Sequence, residues 1–388
     1  MKTTHQIFYQ NAKQLKKIKP ESIDLMVTSP PYPMIEMWDA VFSNQNHKIQ
    51  KALKQHDGTA AFDLMHRELD RVWAEVYRVL KKGGIAAVNI GDATRTINDH
   101  FALYANHSRI LHYMQKIGFS VLPAVLWRKQ TNAPNKFMGS GMMPPGAYVT
   151  LEHEYVLILR KGNKKEFHTP GEKQIRRESA FFWEERNVWF SDVWMDLKGT
   201  TQNLFEPNVR NRSAAFPFEL PYRLISMFSV KGDSVLDPFL GLGTTMYAAM
   251  AACRNSIGFE IDTEFKNPIE SRLSNIVDYA NLRIRQRLDH HFSFTENHFK
   301  RKGKFKYQNK HYLFPVVTRQ ETDLLINELQ AVKRKADDTF EATYSDSPQN
   351  DFVGFWDGYM MTESEKEQKK LGRPRKKKTT VRQVQLFD

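Results

Sequence analysis

Cysteine is almost absent from this sequence, and long apolar runs are absent altogether. The 388 residues include one cysteine, Cys253, which excludes a disulfide framework and a cysteine-rich metal site and fits a reducing compartment. No apolar stretch approaches the roughly 20 residues of a membrane span. The N-terminal segment "MKTTHQIFYQNAKQ" has no signal-peptide core, and none of the 13 histidines stands in a metal-ligand spacing. We therefore expect a cytoplasmic protein without a membrane or metal partner.

Basic residues outnumber acidic ones. The chain has 57 Lys and Arg against 44 Asp and Glu, a formal net charge of +13 at pH 7. Such an excess favours a polyanionic partner, although many basic proteins are merely soluble. Charge alone therefore leaves nucleic-acid binding and simple solubility as open alternatives.

Helix-like and strand-like segments alternate along the first part of the chain. Apolar residues recur at three- and four-residue steps over residues 62–80, which predicts a helix that Gly83 and Gly84 would end. The run "IAAVNIG", residues 85–91, then predicts a buried strand. Such alternation predicts an α/β fold with a parallel sheet. Residues 34–60 are polar and predict irregular structure.

Later segments are more varied. Residues 129–150 are rich in Gly, Pro, Asn and Met and predict a long loop, which would be either functional or disordered. Periodicity fades over residues 161–206, where charges and aromatics mix, which indicates a small inserted module. Amphipathic patterns predict helices at 267–288 and 321–335.

A glycine-rich turn stands between a strand and a helix in "SVLDPFLGLGTT", residues 234–245. Gly241 and Gly243 allow the backbone to approach a ligand closely, and Thr244 and Thr245 are candidate caps for the helix that follows. An ordinary strand-to-helix turn would explain this motif if it stood alone.

An acidic residue ends the next strand, "SIGFE". Glu260 stands about 20 residues past the glycines, a spacing that suits a ribose diol, so the ligand is expected to carry a nucleoside. A P-loop would need lysine where Thr244 stands, and a dinucleotide turn would need a third spaced glycine. The pattern Asp-Pro-Phe-x-Gly-x-Gly-Thr-Thr resembles the S-adenosylmethionine loop of amino-methyltransferases.

A second motif stands near the N-terminus, where the apolar run in "DLMVTSPPYPM", residues 24–34, stops at two prolines. Prolines fix the backbone and remove donors, so the turn is stiff. Thr-Ser-Pro-Pro-Tyr resembles the catalytic motif of DNA methyltransferases that modify an exocyclic amine. Because this motif precedes the cofactor motif, the order resembles the circularly permuted beta class of that family. The resemblance covers roughly residues 15–290.

The resemblance implies a Rossmann-like S-adenosylmethionine-dependent methyltransferase fold, circularly permuted, with an inserted recognition module. It also implies duplex DNA as substrate and a prokaryotic restriction–modification system, with a possible cognate endonuclease, or a solitary methylase. Ser29 and Pro30 would accept hydrogen bonds from the amine, Pro31 would stiffen the turn, and Tyr32 would stack on a flipped base. The cofactor residues implied are Asp237, Pro238, Phe239, Gly241, Gly243, Thr244, Thr245, Glu260 and Phe216.

The serine of this motif bears on the target base. Carbon-5 methylation of cytosine requires a cysteine nucleophile beside a proline, and Cys253 stands in "AACRNS" and is expected to be a small buried residue. In the family, Ser-Pro-Pro-Tyr goes mostly with cytosine N4 and Asp-Pro-Pro-Tyr with adenine N6. Ser29 therefore favours cytosine N4, with adenine N6 as the alternative. A non-catalytic DNA-binding protein with a vestigial fold, and an RNA or protein amine methylase, are more distant alternatives.

Several arginines are candidate DNA contacts. Residues 161–206 occupy the place of the family's target-recognition region, so Arg176, Arg177 and Arg186 could contact phosphates or guanine edges. The segment "KKLGRPRKKK", here called the basic tail together with the residues that follow it, resembles an AT-hook through Arg373 and Arg375. A generic phosphate-attracting tail is the alternative.

We divide the chain into four segments on these grounds. They are the catalytic half (1–160), the recognition module (161–206), the cofactor-binding half (207–296) and a basic C-terminal extension (297–388). Asp92, at a strand end near the same edge, is either an orienting group or an ordinary turn residue.

Overall fold

The structure is a computed structural model that describes residues 1–129, 149–197, 216–354, 356 and 358–371. Its strands are β1 (Lys2–Tyr9), β2 (Ile23–Thr28), β3 (Leu80–Ile90), β4 (Ala93–Ile97), β5 (His100–Tyr104), β6 (Phe119–Arg128), β7 (His153–Lys161), β8 (Val193–Trp194), β9 (Ser234–Asp237), β10 (Asn255–Glu260), β11 (Tyr307–Gln308), β12 (Pro315–Val316), β13 (Leu329–Ala336) and β14 (Thr339–Tyr344). Its helices are α1 (Asp39–Gln45), α2 (His47–Lys54), α3 (Gly58–Val79), α4 (Asn106–Lys116), α5 (Pro170–Glu178), α6 (Trp183–Trp189), α7 (Glu219–Phe228), α8 (Thr244–Ala251), α9 (Lys266–Leu273), α10 (Ile276–Lys302) and α11 (Glu363–Leu371).

Ten of the described strands form one mixed sheet in the order β13-β14-β1-β10-β9-β2-β3-β7-β6-β8. The five central strands from β1 to β3 are parallel to their neighbours, as the alternating pattern predicts. The prediction of a parallel sheet is wrong for the outer strands, because β7 runs antiparallel to β3 and β14 runs antiparallel to β1. Only residues 337–338 separate β13 from β14, and so short a connection allows antiparallel pairing alone.

Both faces of the sheet are covered, which explains why all six residues of β2 are buried. Leu25 and Val27 belong to a core that includes α7 and α8 on one face. Met26 belongs to the core on the other face, where α3 packs. The stripe predicted on α3 is confirmed, since its apolar residues are buried there: Met65, Leu69, Val72, Trp73, Val76 and Val79. The strand end that carries Ser29 is therefore held rigidly from both sides.

Several local predictions are wrong. Helix α3 ends at Val79 and β3 begins at the next residue, so Gly83 and Gly84 lie inside the strand instead of capping the helix. At Gly83 the backbone has φ +85°, and a Cβ would lie 2.7 Å from the backbone nitrogen of Lys165. The close passage of that neighbouring chain, and not a helix end, requires glycine here.

Two further segments differ from their predictions. Residues 34–60, expected to be irregular, contain α1 and α2, and the helix expected over 267–288 is two helices, α9 and α10. The helix expected over 321–335 does not form: its second half, from residue 329, belongs to the strand β13, because these residues pair with β14 instead of forming a helical face.

The region predicted as an inserted module is joined to the rest by a buried ion pair and by other buried polar contacts. Arg287 on α10 binds Glu185 on α6 through two hydrogen bonds of 2.6 and 2.7 Å. His291 lies 2.8 Å from Glu184, and β8 pairs with β6. The C-terminal region contributes β13 and β14 to the main sheet. The four-segment division stays a prediction. None of the described helices has the length and apolarity needed to cross a membrane.

Candidate active site

The two sequence motifs lie on neighbouring strands. Strands β2 and β9 are parallel and pair at Met26 and Leu236, so both motifs emerge at the same edge of the sheet. One residue before Ser29, Thr28 Oγ1 donates a hydrogen bond of 2.6 Å to Asp237 Oδ1. The turn after β2 that carries Ser29 and the glycine turn after β9 are here called the two corners, and they are linked by this direct buried contact between their strand ends.

The glycine turn after β9 is held by an acidic side chain from β10. Gly241 N donates to Glu260 Oε2 at 2.7 Å, and Glu260 Oε1 accepts from the backbone nitrogens of Ile261 and Asp262 at 2.8 and 2.9 Å. A carboxylate has about four lone-pair sites, so a position remains for one further donor. Burial raises the pKa of Glu260.

The turn itself requires glycine for its backbone conformation. Gly241 and Gly243 have φ of +53° and +82°, the region that other residues adopt only with strain. An added Cβ on Gly241 would meet no atom within 4 Å, so this position opens onto free space. Gly243 is the N-cap of α8 and no side chain caps the helix, so the prediction that Thr244 and Thr245 cap it is wrong.

Both corners line one cavity of about 440 Å³. This volume lies within the range of small-molecule sites. The predicted residues among those that line it are Ser29, Pro30, Pro31, Phe216, Asp237, Pro238, Phe239, Gly241, Thr244 and Glu260. The remaining three, Tyr32, Gly243 and Thr245, lie next to the corners but do not line this cavity as the described residues form it.

Asp237 is buried at the junction of the two corners. Its Oδ1 accepts hydrogen bonds from Thr28 Oγ1 and from Phe239 N, the latter at 3.0 Å. Burial raises the pKa of Asp237 from 3.8 to about 6, although these hydrogen bonds act in the opposite direction. Part of the Asp237 population is therefore protonated near pH 6.

Tyr32 takes part in a polar network that the sequence does not reveal. Its Oη donates to Glu154 Oε2 at 2.9 Å, accepts from Asn89 Nδ2 at 2.9 Å, and lies 3.1 Å from Ser29 Oγ. Glu154 also forms an ion pair with Lys129. The signal that could have identified Glu154 is weak, since one acidic residue at the start of "EYVLILRK" looks like an ordinary strand start. Its place depends on the pairing of β7 with β3.

The cavity wall has a second unpredicted part. A buried ion pair joins Lys13 to Glu68, and both residues line the cavity. Residues 10–13, which follow β1, and residues from α1 complete this wall. The polar composition of residues 34–60 gave no indication that they would reach the site.

Asp92 does not join the site. Its carboxylate lies 2.7 Å from His107 Nδ1 and accepts from His107 N at the start of α4. The structure therefore favours the ordinary turn role over the orienting role for Asp92.

The predicted DNA-contacting arginines lie outside the cavity. Arg176 and Arg177 are exposed on α5 and Arg186 is exposed on α6. Arg176 lies over the ring of Phe167, at 5.0 Å from its centroid. Arg373, Arg375 and the loop from 130 to 148 fall outside the described residues, so these predictions stay as they are.

Comparison with known proteins settles the family. The family model N6_N4_Mtase, a DNA methylase, matches residues 23–271, a span that includes both corners and most of the residues that line the cavity between them. The chain is a member of this DNA methylase family. It is an amino-methyltransferase of the restriction–modification type. The predicted α/β methyltransferase fold is confirmed. The circular permutation stays a prediction.

Two Type II methyltransferases are close relatives of this DNA methylase. The Type II methyltransferase M.MthZI of Methanothermobacter thermautotrophicus is 51% identical over 347 residues, which cover 89% of this chain and 96% of the relative. M.MjaI of Methanocaldococcus jannaschii, another Type II methyltransferase, is 49% identical over 282 residues, or 70% of this chain and 91% of that protein.

A solved structure shares the fold. A Thermus thermophilus protein described as a DNA modification methylase, complexed with S-adenosyl-L-methionine, superposes with a TM-score of 0.55 at 28% identity. The match covers 70% of this chain and 94% of that chain. Among the described residues of the present chain, no group of three or more His, Cys, Asp and Glu side chains could hold a metal ion.

Proposed function

We propose that this DNA methylase transfers a methyl group from S-adenosylmethionine to the exocyclic N4 amine of cytosine in duplex DNA. The observation that carries the proposal is that Ser29 and Gly241 line the same cavity, although 212 positions separate them in the sequence. Methyl transfer between two bound groups needs them aligned in one site, and that alignment supplies much of the rate.

The cavity fits the proposed cofactor in size and in the character of its walls. Gly241 opens onto free space, so a ligand can lie against the backbone of the turn. Glu260, with a position left for one donor, would hold the ribose, and Asp237 to Gly243 would hold the methionine side. Phe216 would pack against the cofactor. When bound, S-adenosylmethionine supplies an activated methyl group on a sulfonium.

On the substrate side, the chain's own residues must bind and polarise the amine. The lone pair of an exocyclic amine is delocalised into the ring, which makes the nitrogen a poor nucleophile. Ser29 Oγ and the Pro30 carbonyl oxygen would accept hydrogen bonds from the amine and stabilise the nitrogen as it becomes tetrahedral. Tyr32 would stack through the face of its ring on a base turned out of the duplex.

The choice of cytosine rests on the serine of the first motif. In the family this motif resembles, serine goes mostly with cytosine N4 and aspartate with adenine N6. The discriminating experiment is digestion of methylated DNA to nucleosides, followed by mass spectrometry. We expect N4-methylcytosine, and N6-methyladenine as the only product would refute the choice of base.

The role of Ser29 has its own test. Ser29→Ala is expected to abolish methyl transfer while S-adenosylmethionine still raises the melting temperature of the protein. A fully active Ser29→Ala variant would contradict the proposed site. Absence of any cofactor-induced shift in the wild type would instead favour a non-catalytic DNA-binding protein.

The wider setting is part of the same proposal. We place the protein in the prokaryotic cytoplasm, acting on the cell's DNA, with the partner nuclease of a restriction–modification system as a possible companion. In a competition assay between duplex DNA and structured RNA, methylation of the DNA alone would exclude an RNA methylase. Arg176, Arg177 and Arg186 remain candidates for contact with the duplex.

A further inference from the structure

The hydroxyl of Tyr32 is the centre of a hydrogen-bonded chain that begins at Ser29 and ends at Glu154. Four polar groups lie around Tyr32 Oη: Glu154 Oε2 at 2.9 Å, Asn89 Nδ2 at 2.9 Å, Ser29 Oγ at 3.1 Å and the backbone N–H of Gly91, which can only donate. Asn89 Nδ2 also donates to Glu154 Oε2 at 2.6 Å. The opposite carboxylate oxygen of Glu154 accepts from Lys129 Nζ.

The number of available protons fixes the direction of this chain. A phenol has one proton to donate and two lone pairs with which to accept. Burial, which is the larger cause, and the charge of Glu154 both raise the pKa of Tyr32 well above its usual value, so the phenol keeps its proton. An ionised Glu154 can only accept, and the amide nitrogen of Asn89 can only donate. The single proton of Tyr32 therefore goes to Glu154.

What remains for Ser29 follows from this inventory. Tyr32 Oη has no second proton, so in the contact between the two hydroxyls Ser29 must be the donor. A serine hydroxyl whose proton is used in this way presents only lone pairs in its other directions. Ser29 also lines the cavity, so its lone pairs are the polar feature that it offers to a bound base.

The direction matters for the chemistry. A target amine has hydrogens to donate, and its nitrogen lone pair must stay free for the incoming methyl group. A serine that accepted from the amine would increase electron density on nitrogen. A serine that donated to the same nitrogen would occupy the lone pair that reacts. The two orientations of one proton therefore have opposite effects on methyl transfer.

We propose that Glu154 is a positioning residue that acts through Tyr32 to hold the Ser29 proton away from the target amine, so that Ser29 is a hydrogen-bond acceptor towards the base. This inference rests on the proposed function, in which Ser29 contacts the amine.

Packing fixes the geometry of the chain. The Glu154 side chain is 12% exposed. A Cβ on Gly91 would lie 3.0 Å from the Tyr32 ring and 3.3 Å from Glu154 Cγ, so the two side chains meet against a glycine that leaves no spare room.

The test is Glu154→Gln. Glutamine has one acceptor oxygen, which pairs with Lys129, so its amide N–H groups replace the oxygen that accepts from both Tyr32 and Asn89. Tyr32 then loses its acceptor at this position, and the direction of its hydrogen bond with Ser29 reverses. Ser29 then accepts from Tyr32 and its own proton is released towards the cavity. We expect the single-turnover rate of methyl transfer to unmethylated plasmid DNA to fall about tenfold to hundredfold. This is less than the roughly 10²–10³-fold loss when a hydrogen bond to the reacting centre itself is removed, because Glu154 acts through Tyr32. Affinities for the cofactor and for the DNA should stay within about twofold of wild type, since neither contact involves Glu154.

A matched control and a rescue separate positioning from folding. Glu152→Gln lies two residues away, in a pair with Arg128 at 3.1 Å, and should react at the wild-type rate. In the double variant Glu154→Gln/Lys129→Met, the amide oxygen is free to face Tyr32 and the original direction returns. This double variant should recover most of the rate of Lys129→Met alone.

The outcomes are distinguishable. A wild-type rate for Glu154→Gln overturns the inference, and so does a slow Glu154→Gln that the second substitution does not rescue. If Glu154→Gln does not fold, Tyr32→Phe replaces it, since this variant also releases the Ser29 proton and should show the same fall in rate. An active Ser29→Ala contradicts the proposed function itself, whereas an inactive Ser29→Ala beside a fully active Glu154→Gln contradicts this inference alone.

Discussion

Asp237 provides a quantitative test of the site, because its carboxyl group is buried where the two motifs meet. Its pKa is raised from 3.8 to about 6, mainly by burial. A raised carboxyl pKa means that stability is fully present below pH 3.8 and is lost as the pH rises through about 6. Each pKa unit corresponds to about 1.4 kcal/mol, so the ionised carboxylate costs the fold about 3 kcal/mol at high pH.

Asp237→Asn removes this cost. The hydrogen bonds from Thr28 and Phe239 go to Oδ1, so an asparagine can keep them through its carbonyl oxygen. Its amide would face the hydroxyl of Thr245, which also contacts this carboxyl group and can accept as well as donate. At pH 5 Asp237 is mostly ionised in the unfolded chain and mostly protonated in the folded one, so about half of the 3 kcal/mol has already been lost. Between pH 5 and pH 8 the free energy of unfolding of the wild type should therefore fall by a further amount of about 1.4 kcal/mol. The variant should not show this fall.

The measurement is urea unfolding of both proteins, without cofactor, at pH 5, 6, 7 and 8. The difference in free energy of unfolding, Asp237→Asn minus wild type, should increase by the stated amount from pH 5 to pH 8. Asp289→Asn, at an exposed position on α10, is the control and should follow the wild type. Parallel pH dependences for Asp237→Asn and wild type would refute the reasoning.

Three further predictions concern other parts of the molecule. Gly91→Ala places a methyl group 3.0 Å from the Tyr32 ring and should slow methyl transfer at least about tenfold in single-turnover assays, whereas Gly171→Ala, which meets no atom within 4 Å, should have no effect. Arg287→Met leaves the buried Glu185 unpaired and should lower the free energy of unfolding by about 3–5 kcal/mol, and adding Glu185→Leu should restore part of it; a loss under about 1 kcal/mol in urea titrations would contradict this. Removal of the basic tail should weaken DNA binding mostly at low salt, so equal affinities at about 50 mM salt would exclude a phosphate-binding role.

Those parts of the fold that repeat a simple period could be predicted from the sequence. The stripe on α3 and the apolar run of β2 each identify an element without tertiary information. The same holds for the two corners, because glycines at positive φ and paired prolines are local requirements of the backbone. The order of strands then brings the corners together.

The remainder depended on pairing between distant segments. Residues 329–336 have a composition compatible with a helix, and only their pairing with β14 makes them a strand. Glu154 acquires its role because β7 runs antiparallel to β3 and carries it next to Asn89 and Tyr32. The helices α1 and α2 bury few apolar side chains, such as Phe42 and Ile49. Their sequences are therefore mostly polar and do not show the apolar period by which a helix is predicted.

The ladder between β2 and β9 restricts how this enzyme can open and close. Adjacent strands lie about 4.8 Å apart and are joined by backbone hydrogen bonds. The strand ends that carry the two motifs therefore cannot move apart by a hinge motion. Any movement that opens the cavity for exchange of the methyl donor would therefore occur in parts of its wall outside this ladder, and among the described residues, 10–13 and α1 are such parts. A conformational probe attached to α1 would report turnover, while one placed on the central strands would stay silent.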